Sequence, residues 1–215
     1  LLFTTFVSYL YGTMKGFFLS FYCLFFSCCI IHAQQGDIKL LRAVYAGNSS
    51  MDAMHSLSQS AYPISILCPV AVYAFSSKQD STALLHTKQV LYSMATAAVI
   101  TYGTKWLVNR ARPCETYTDI IPYNKEIDPS FPSGHTSMAF NTAMNISMLT
   151  HQPWVKITAF TWASAIAYSR LYLGEHYPSD VLAGALIGAG SAYLSSKAQA
   201  WLLHQNRKKK SSYDF

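Results

Sequence analysis

Charge is what this chain has least of. Only 12% of its 215 residues are Asp, Glu, Lys or Arg, against about a quarter in an ordinary soluble domain. Acidic side chains are the scarcer kind, 10 against 16 Lys plus Arg, and they form no cluster along the sequence that would hold magnesium. Cysteine is equally unpromising as a staple or a ligand. Of the five, three lie near the N-terminus, Cys68 falls in an apolar segment and Cys114 has no evident partner, so neither a disulfide framework nor a zinc site is expected. The net charge of +6 does not imply nucleic acid. Four of those charges form the cluster Arg207-Lys208-Lys209-Lys210, whose simplest use is an electrostatic anchor at a membrane surface. No stacking platform or basic helix stripe accompanies it.

Long uninterrupted apolar runs are also few, although 51% of the residues are apolar. Segments near Ala61 to Phe75, Gln89 to Val108, Thr136 to Thr150, Trp154 to Leu173 and Val181 to Leu203 have helical length. Several fall short of the roughly 20 apolar residues a spanning helix ordinarily needs. Asn141 and Asn145 are four apart and share a face, expected to point into a bundle. Ala183-Gly184-Ala185, continued by Gly188 and Gly190, favours close helix packing. Asp37 to Ser60 is polar and turn-rich, and its Asp-Ile-Lys-Leu-Leu-Arg pattern predicts a short amphipathic helix lying along a membrane surface. Gly16 to Ile31, preceded by Lys15, reads as a signal peptide or a retained anchor, with Leu1 to Thr13 an upstream extension.

The predicted organisation is therefore an extension plus leader over 1–33, an interfacial segment over 34–60, a helical core over 61–203 and a basic tail over 204–215. The expected fold class is all-α, a helical bundle integral to a membrane with five to six spanning helices. A soluble helical protein is the alternative. If Lys15 and the basic tail both stay inside, the number of spans is even. Six segments satisfy this, and they put the end of the third, the start of the fourth and the end of the fifth on the outer face.

Those three ends carry the chemistry. KWLVNRARP runs from Lys105 to Pro113, FPSGHTS from Phe131 to Ser137, and SRLYLGEHYPSD from Ser169 to Asp180. A phosphoryl group in transfer spreads negative charge over its oxygens and asks for fixed donors around it. Lys105, Arg112 and Arg170 are such donors, and the planar arginine fork meets two oxygens at once. Ser133 is placed to cap a helix beginning at Gly134, whose free N–H groups would attract an anion. His176 precedes Asp180 by four residues, with Pro178 suited to a first helical turn between them. A carboxylate at that reach can hold the imidazole Nδ1–H and leave Nε2 as nucleophile or base. His135 is the natural general acid for the leaving oxygen. Arg110 lies outside these patterns and is expected to be a solvated or headgroup-facing charge. His32, His55, His86, His151 and His204 have no acidic or metal-ligand company and are assigned no chemistry.

Lys105-x6-Arg112-Pro113, then Pro132-Ser133-Gly134-His135, then Ser169-Arg170-x5-His176-x3-Asp180 resembles the three-part signature of the type 2 phosphatidic acid phosphatase and vanadium haloperoxidase superfamily, over roughly residues 37–203. The resemblance implies an acid-phosphatase/haloperoxidase-like helical core and no metal or other cofactor. It implies that His176 forms a phosphohistidine, Asp180 orients it, and His135 protonates the leaving group and later activates water. Lys105, Arg112, Ser133, Gly134 and Arg170 would bind the phosphate oxygens. The expected activity is hydrolysis of a lipid phosphate or isoprenyl diphosphate at the periplasmic face of a bacterial inner membrane. The partners would be that lipid and the membrane, with no nucleic acid, and the oligomeric state is left open. The alternatives are a vanadate-dependent haloperoxidase, a soluble periplasmic acid phosphatase and a catalytically silent lipid-binding protein.

Overall fold

The computed structural model describes residues 36–45, 51–75 and 82–213, with side chains to residue 205. The predicted leader and the side chains of the basic cluster lie outside the described residues. By internal contacts the chain divides into Leu1–Leu40 and Leu41–Phe215. Of the first unit only the helical residues 36–40 are described. The helical bundle and its site belong to the second.

Every regular element among the described residues is a helix. Residues 36–44 form α1. It is followed by α2 (Met51–Gln59), α3 (Ala61–Phe75), α4 (Ala83–Val108), the single turn α5 (Pro113–Thr116), α6 (Gly134–Leu149), α7 (Pro153–Tyr172) and α8 (Pro178–Tyr213). The apolar segments expected at α3, α6 and α7 match their helices within about a turn, whereas α4 begins six residues before Gln89 and α8 runs ten residues past Leu203. No helix among the described residues is long and apolar enough to cross a membrane.

Helix α6 is the hub, packed against α3, α4, α7 and α8. Its neighbours come close because the contact residues are small. The buried cluster is Ala61, Ala139, Ala143, Ala159, Ala163 and Ile166, with Phe140, Phe160 and Trp162 around it. Against α8 the approach is backbone to backbone. A Cβ on Gly184 would sit 2.5 Å from the Ser133 carbonyl oxygen, and one on Gly188 would overlap that of Ser137. Gly190, predicted to share this role, faces open space.

Polar side chains share the interior with these apolar ones. Asn141 and Asn145 are fully buried, as their spacing predicted. Asn145 Nδ2 donates to Ser93 Oγ at 2.8 Å, and Asn141 Nδ2 donates to the Gly188 carbonyl at 3.2 Å. Thr142 Oγ1 donates to Ser65 Oγ at 2.8 Å and Thr101 Oγ1 to Ser137 Oγ at 2.9 Å. These bonds tie α3, α4, α6 and α8 together, and each buried polar group so satisfied avoids a desolvation cost of about 1–3 kcal/mol.

The long connection from α4 to α6 passes over one end of the bundle and is fastened to the outer helices. Arg42 holds Asp119 through two hydrogen bonds of 2.8 and 3.0 Å. Tyr45 Oη donates to the Ile121 carbonyl, and Tyr123 Oη donates to Asp52.

Candidate active site

Three helix ends meet beneath that connection. Helix α4 stops at Asn109, whose left-handed backbone (φ 46°, ψ 46°) turns the chain out of the helix just after Lys105. Helix α6 starts at Gly134 with Ser133 at the capping position. Helix α7 ends at Tyr172, and a turn through Gly174 (φ 69°) leads to Pro178 at the start of α8. A Cβ at Gly174 would meet Ile120 and Tyr45 at 2.9 and 3.0 Å, so this turn is built for glycine.

All eight residues singled out from the motifs gather here and are buried. A cavity of about 600 Å³ is lined by Lys105, Gly134, His135 and His176, with Tyr62, Tyr102, Lys125, Glu126, Ile127 and Asp128 completing its wall. The Ser133 hydroxyl makes no capping bond; it accepts from Thr136 Oγ1 at 3.0 Å. The first intrahelical bond of α6 runs from Ser137 N to the Ser133 carbonyl. The N–H groups of Gly134, His135 and Thr136 are thus left without partners inside the helix. The Ser133 N–H donates to the Asp180 carbonyl at 3.0 Å, joining the starts of α6 and α8.

Two carboxylates outside the three motifs, Glu126 and Asp128, hold all three cations, and Glu175 inside the third motif joins them at Arg170. Lys105 Nζ pairs with Asp128 at 2.9 Å and donates to the Pro129 carbonyl. Arg112 reaches Asp128 and Glu126, each at 2.6 Å, and its Nη1 donates to the Glu175 carbonyl. Arg170 reaches the other oxygen of Glu126 at 2.7 Å, Ser58 Oγ at 2.7 Å and the carboxylate of Glu175. Glu126 therefore bridges the two arginines as a phosphate would. Motif reasoning missed it, although a signal did exist: in a chain with ten acidic residues, Glu126 and Asp128 stand just before Phe131-Pro132-Ser133-Gly134-His135.

Electrostatics follow from this crowding. Burial pushes the Glu126 carboxyl up, but the charges of Arg170 and Arg112 outweigh it and hold the group at about 2. Asp128 is likewise held below the usual range, with Lys105 and Arg112 overcoming its burial. Glu175 goes the other way: burial, only partly offset by Arg170, raises it to about 7. His135, just ahead of the apolar part of α6, is lowered to about 3 by burial and then by Arg170. His176 falls well below its ordinary value through burial and the charges of Arg170, Arg112 and Lys105. Both imidazoles are neutral near pH 7 while the site holds no anion.

Asp180 lies behind His176. Its Oδ2 is 3.6 Å from His176 Nδ1, longer than a hydrogen bond, and accepts instead from Ser130 Oγ at 2.5 Å and the Tyr177 N–H at 2.9 Å. Ser130 Oγ is itself 3.5 Å from His176 Nδ1. Such contacts commonly tighten when substrate binds. Arg110 corrects the expectation of a solvated charge. Its side chain is 16% exposed, and Nη1 lies 2.6 Å from Asp180 Oδ1.

The chain is similar in sequence to known proteins and in fold to solved structures. A lipid A 4'-phosphatase of Bacteroides thetaiotaomicron is 33% identical over 123 residues, covering 51% of this chain and 55% of that protein. An undecaprenyl-diphosphatase of Sulfolobus acidocaldarius is 30% identical over 112 residues, covering 52% and 54%. The chain thus matches about half the length of these two relatives. Among solved structures, a transmembrane PAP2 type phosphatidylglycerolphosphate phosphatase from Bacillus subtilis superposes with a TM-score of 0.63 over 79% of this chain and 87% of that one, at 23% identity. A family model matches residues 87–203, more than half of the chain and all three motifs, and the chain belongs to the PAP2 superfamily.

Proposed function

We propose that this protein is a phosphatase that hydrolyses a lipid phosphate or isoprenyl diphosphate through a phosphohistidine on His176. The observation that carries the reading is that Lys105 lines one cavity with His135 and His176, while Arg112 and Arg170 converge on Glu126 in its wall. The phosphate takes the place of the Glu126 and Asp128 carboxylates on the three cations, with the N–H groups at the start of α6 completing its shell. His176 Nε2 gives its lone pair to phosphorus as the bond from phosphorus to the leaving oxygen breaks. His135 delivers a proton to that oxygen; the charge of the bound phosphate opposes the burial and the Arg170 charge that otherwise keep His135 neutral. Neutral His135 then takes a proton from water, the water oxygen bonds to phosphorus, and the phosphorus–nitrogen bond breaks to release inorganic phosphate.

The lipid class is supported by the names of the relatives and by the distribution of apolar surface. The interior of the bundle is lined by Ser65, Ser93, Thr101, Asn141, Thr142 and Asn145, while Leu91, Val99, Trp154, Ile157, Leu186 and Trp201 are exposed on α4, α7 and α8. Paired polar side chains within the bundle and large apolar side chains outside it fit helices in lipid, and the buried polar residues dilute the hydropathy of each segment. We read residues 61–203 as a membrane-embedded phosphatase core with its site at the periplasmic face.

The test is phosphate release from a panel of phosphatidic acid, phosphatidylglycerol phosphate, undecaprenyl diphosphate and a water-soluble ester, with EDTA present. Turnover of a lipid member by the full chain, lost in His176→Ala, supports the reading. Turnover that required a divalent metal would sink it.

A further inference from the structure

We propose that Arg110 is a positioning residue for this reaction, acting through Asp180 to fix the orientation of the carboxylate behind His176. The inference rests on the reading of His176 as the nucleophile.

Asp180 is completely buried, and a polar group in that position needs partners in the protein to replace water. His176 is not a cationic partner, because it attacks as the neutral imidazole. Lys105, Arg112 and Arg170 are engaged on the cavity side with Asp128, Glu126 and Glu175. Arg110 is the cation in contact: its Nη1 donates to Asp180 Oδ1 at 2.6 Å. Anchoring one oxygen of a planar carboxylate directs the other, and Oδ2 is the one facing His176 Nδ1.

Arg110 is itself held in place. The same Nη1 contacts Ser179 Oγ at 2.6 Å, and the guanidinium carbon lies 3.9 Å from the centroid of the Tyr177 ring. The Arg110 carbonyl accepts from the Ser130 N–H at 2.8 Å, and Ser130 Oγ in turn donates to Asp180 Oδ2. The segment after α4 thus grips the turn around His176 twice, Arg112 at the Glu175 carbonyl and Arg110 at Ser179 and Asp180. In the reaction, positive charge grows on the His176 ring as Nε2 bonds to phosphorus. Asp180, held in orientation by Arg110, faces that growing charge through Oδ2.

The experiment is a double-mutant cycle on the purified full chain, using dioctanoyl phosphatidic acid as substrate and orthovanadate as a probe of the anion site. Arg110→Ala is expected to lower kcat about 10- to 100-fold, the scale of losing an outer partner that orients a histidine. KM, the vanadate inhibition constant and the number of vanadate sites per chain stay as in wild type, and Arg110→Lys recovers part of the loss. On an Asp180→Asn background, Arg110→Ala adds less than about twofold, because the two residues act as one unit. Losses that multiply, or an unchanged kcat, would overturn the proposal. So would weaker vanadate inhibition, which would make Arg110 a phosphate ligand, or fewer vanadate sites, which would make its role structural. Survival of turnover in His176→Ala would instead defeat the underlying reading.

Discussion

Arg112 shows why residue identity matters more than charge at this site. Its guanidinium reaches Asp128 with two nitrogens, one to the backbone carbonyl at 2.8 Å and one to the carboxylate at 2.6 Å, and sends a third to the Glu175 carbonyl. A lysine keeps the charge and loses that planar fork. Arg112→Lys is therefore expected to lower kcat/KM by at least about tenfold, roughly 1.4 kcal/mol of transition-state stabilisation; steady-state kinetics check it, and a fully active variant would remove Arg112 from the phosphate shell. His135→Ala should slow substrates with poor leaving groups more than activated aryl phosphates, since only the former need the proton. Equal losses on both would count against general acid catalysis. The motif residues were legible because each chemical type stands in a fixed local pattern. Arg110 was not, because its partner Asp180 is 70 residues away and the pairing exists only after α4 and α8 are packed together.

At the scale of elements, the connection between α4 and α6 does what no local pattern announced. It carries Glu126 and Asp128 onto the three cations, and in the proposed reaction substrate displaces these two carboxylates to bind. Glu126→Gln removes one competitor, and vanadate inhibition is expected to strengthen severalfold at pH 7; unchanged or weaker inhibition would show that Glu126 does not occupy the anion position. Helix extents were largely readable from apolar length; the overrun of α8 falls where polar residues continue the helix, and that of α4 adds Ala83, Leu84 and Leu85 beyond the polar His86-Thr87-Lys88. The glycines of α8 were also readable as packing residues, but which of them touch α6 was decided by register. Gly188 backs onto the Ser137 carbonyl whereas Gly190 does not. Gly188→Ala should cost about 1–3 kcal/mol by overpacking, while Gly190→Ala should be close to neutral or slightly stabilising. Thermal unfolding of both variants in the same detergent compares them.

For the whole molecule, the site shapes stability against pH as well as chemistry. Glu175 has its carboxyl raised to about 7 from an ordinary 4.5. The folded state therefore binds its proton more tightly than the unfolded one. That contribution is full below about 4.5 and is lost as pH rises through about 7. Glu126, lowered to about 2, contributes in the opposite sense, above 4.5 and fading as pH falls. Glu175→Gln should gain in Tm relative to wild type as pH rises from 4.5 to 7.5, and a constant difference would contradict the shift.

The proposed covalent step on His176 is where the account is most directly exposed to experiment. Full-length protein mixed with a ³²P-labelled lipid phosphate and quenched within the first turnover should carry label on His176, stable to alkali and released by acid, with EDTA present throughout. The same label should be absent from His176→Ala and should accumulate where hydrolysis is slowed. Turnover without any labelled intermediate, or label and activity persisting in His176→Ala, would contradict it.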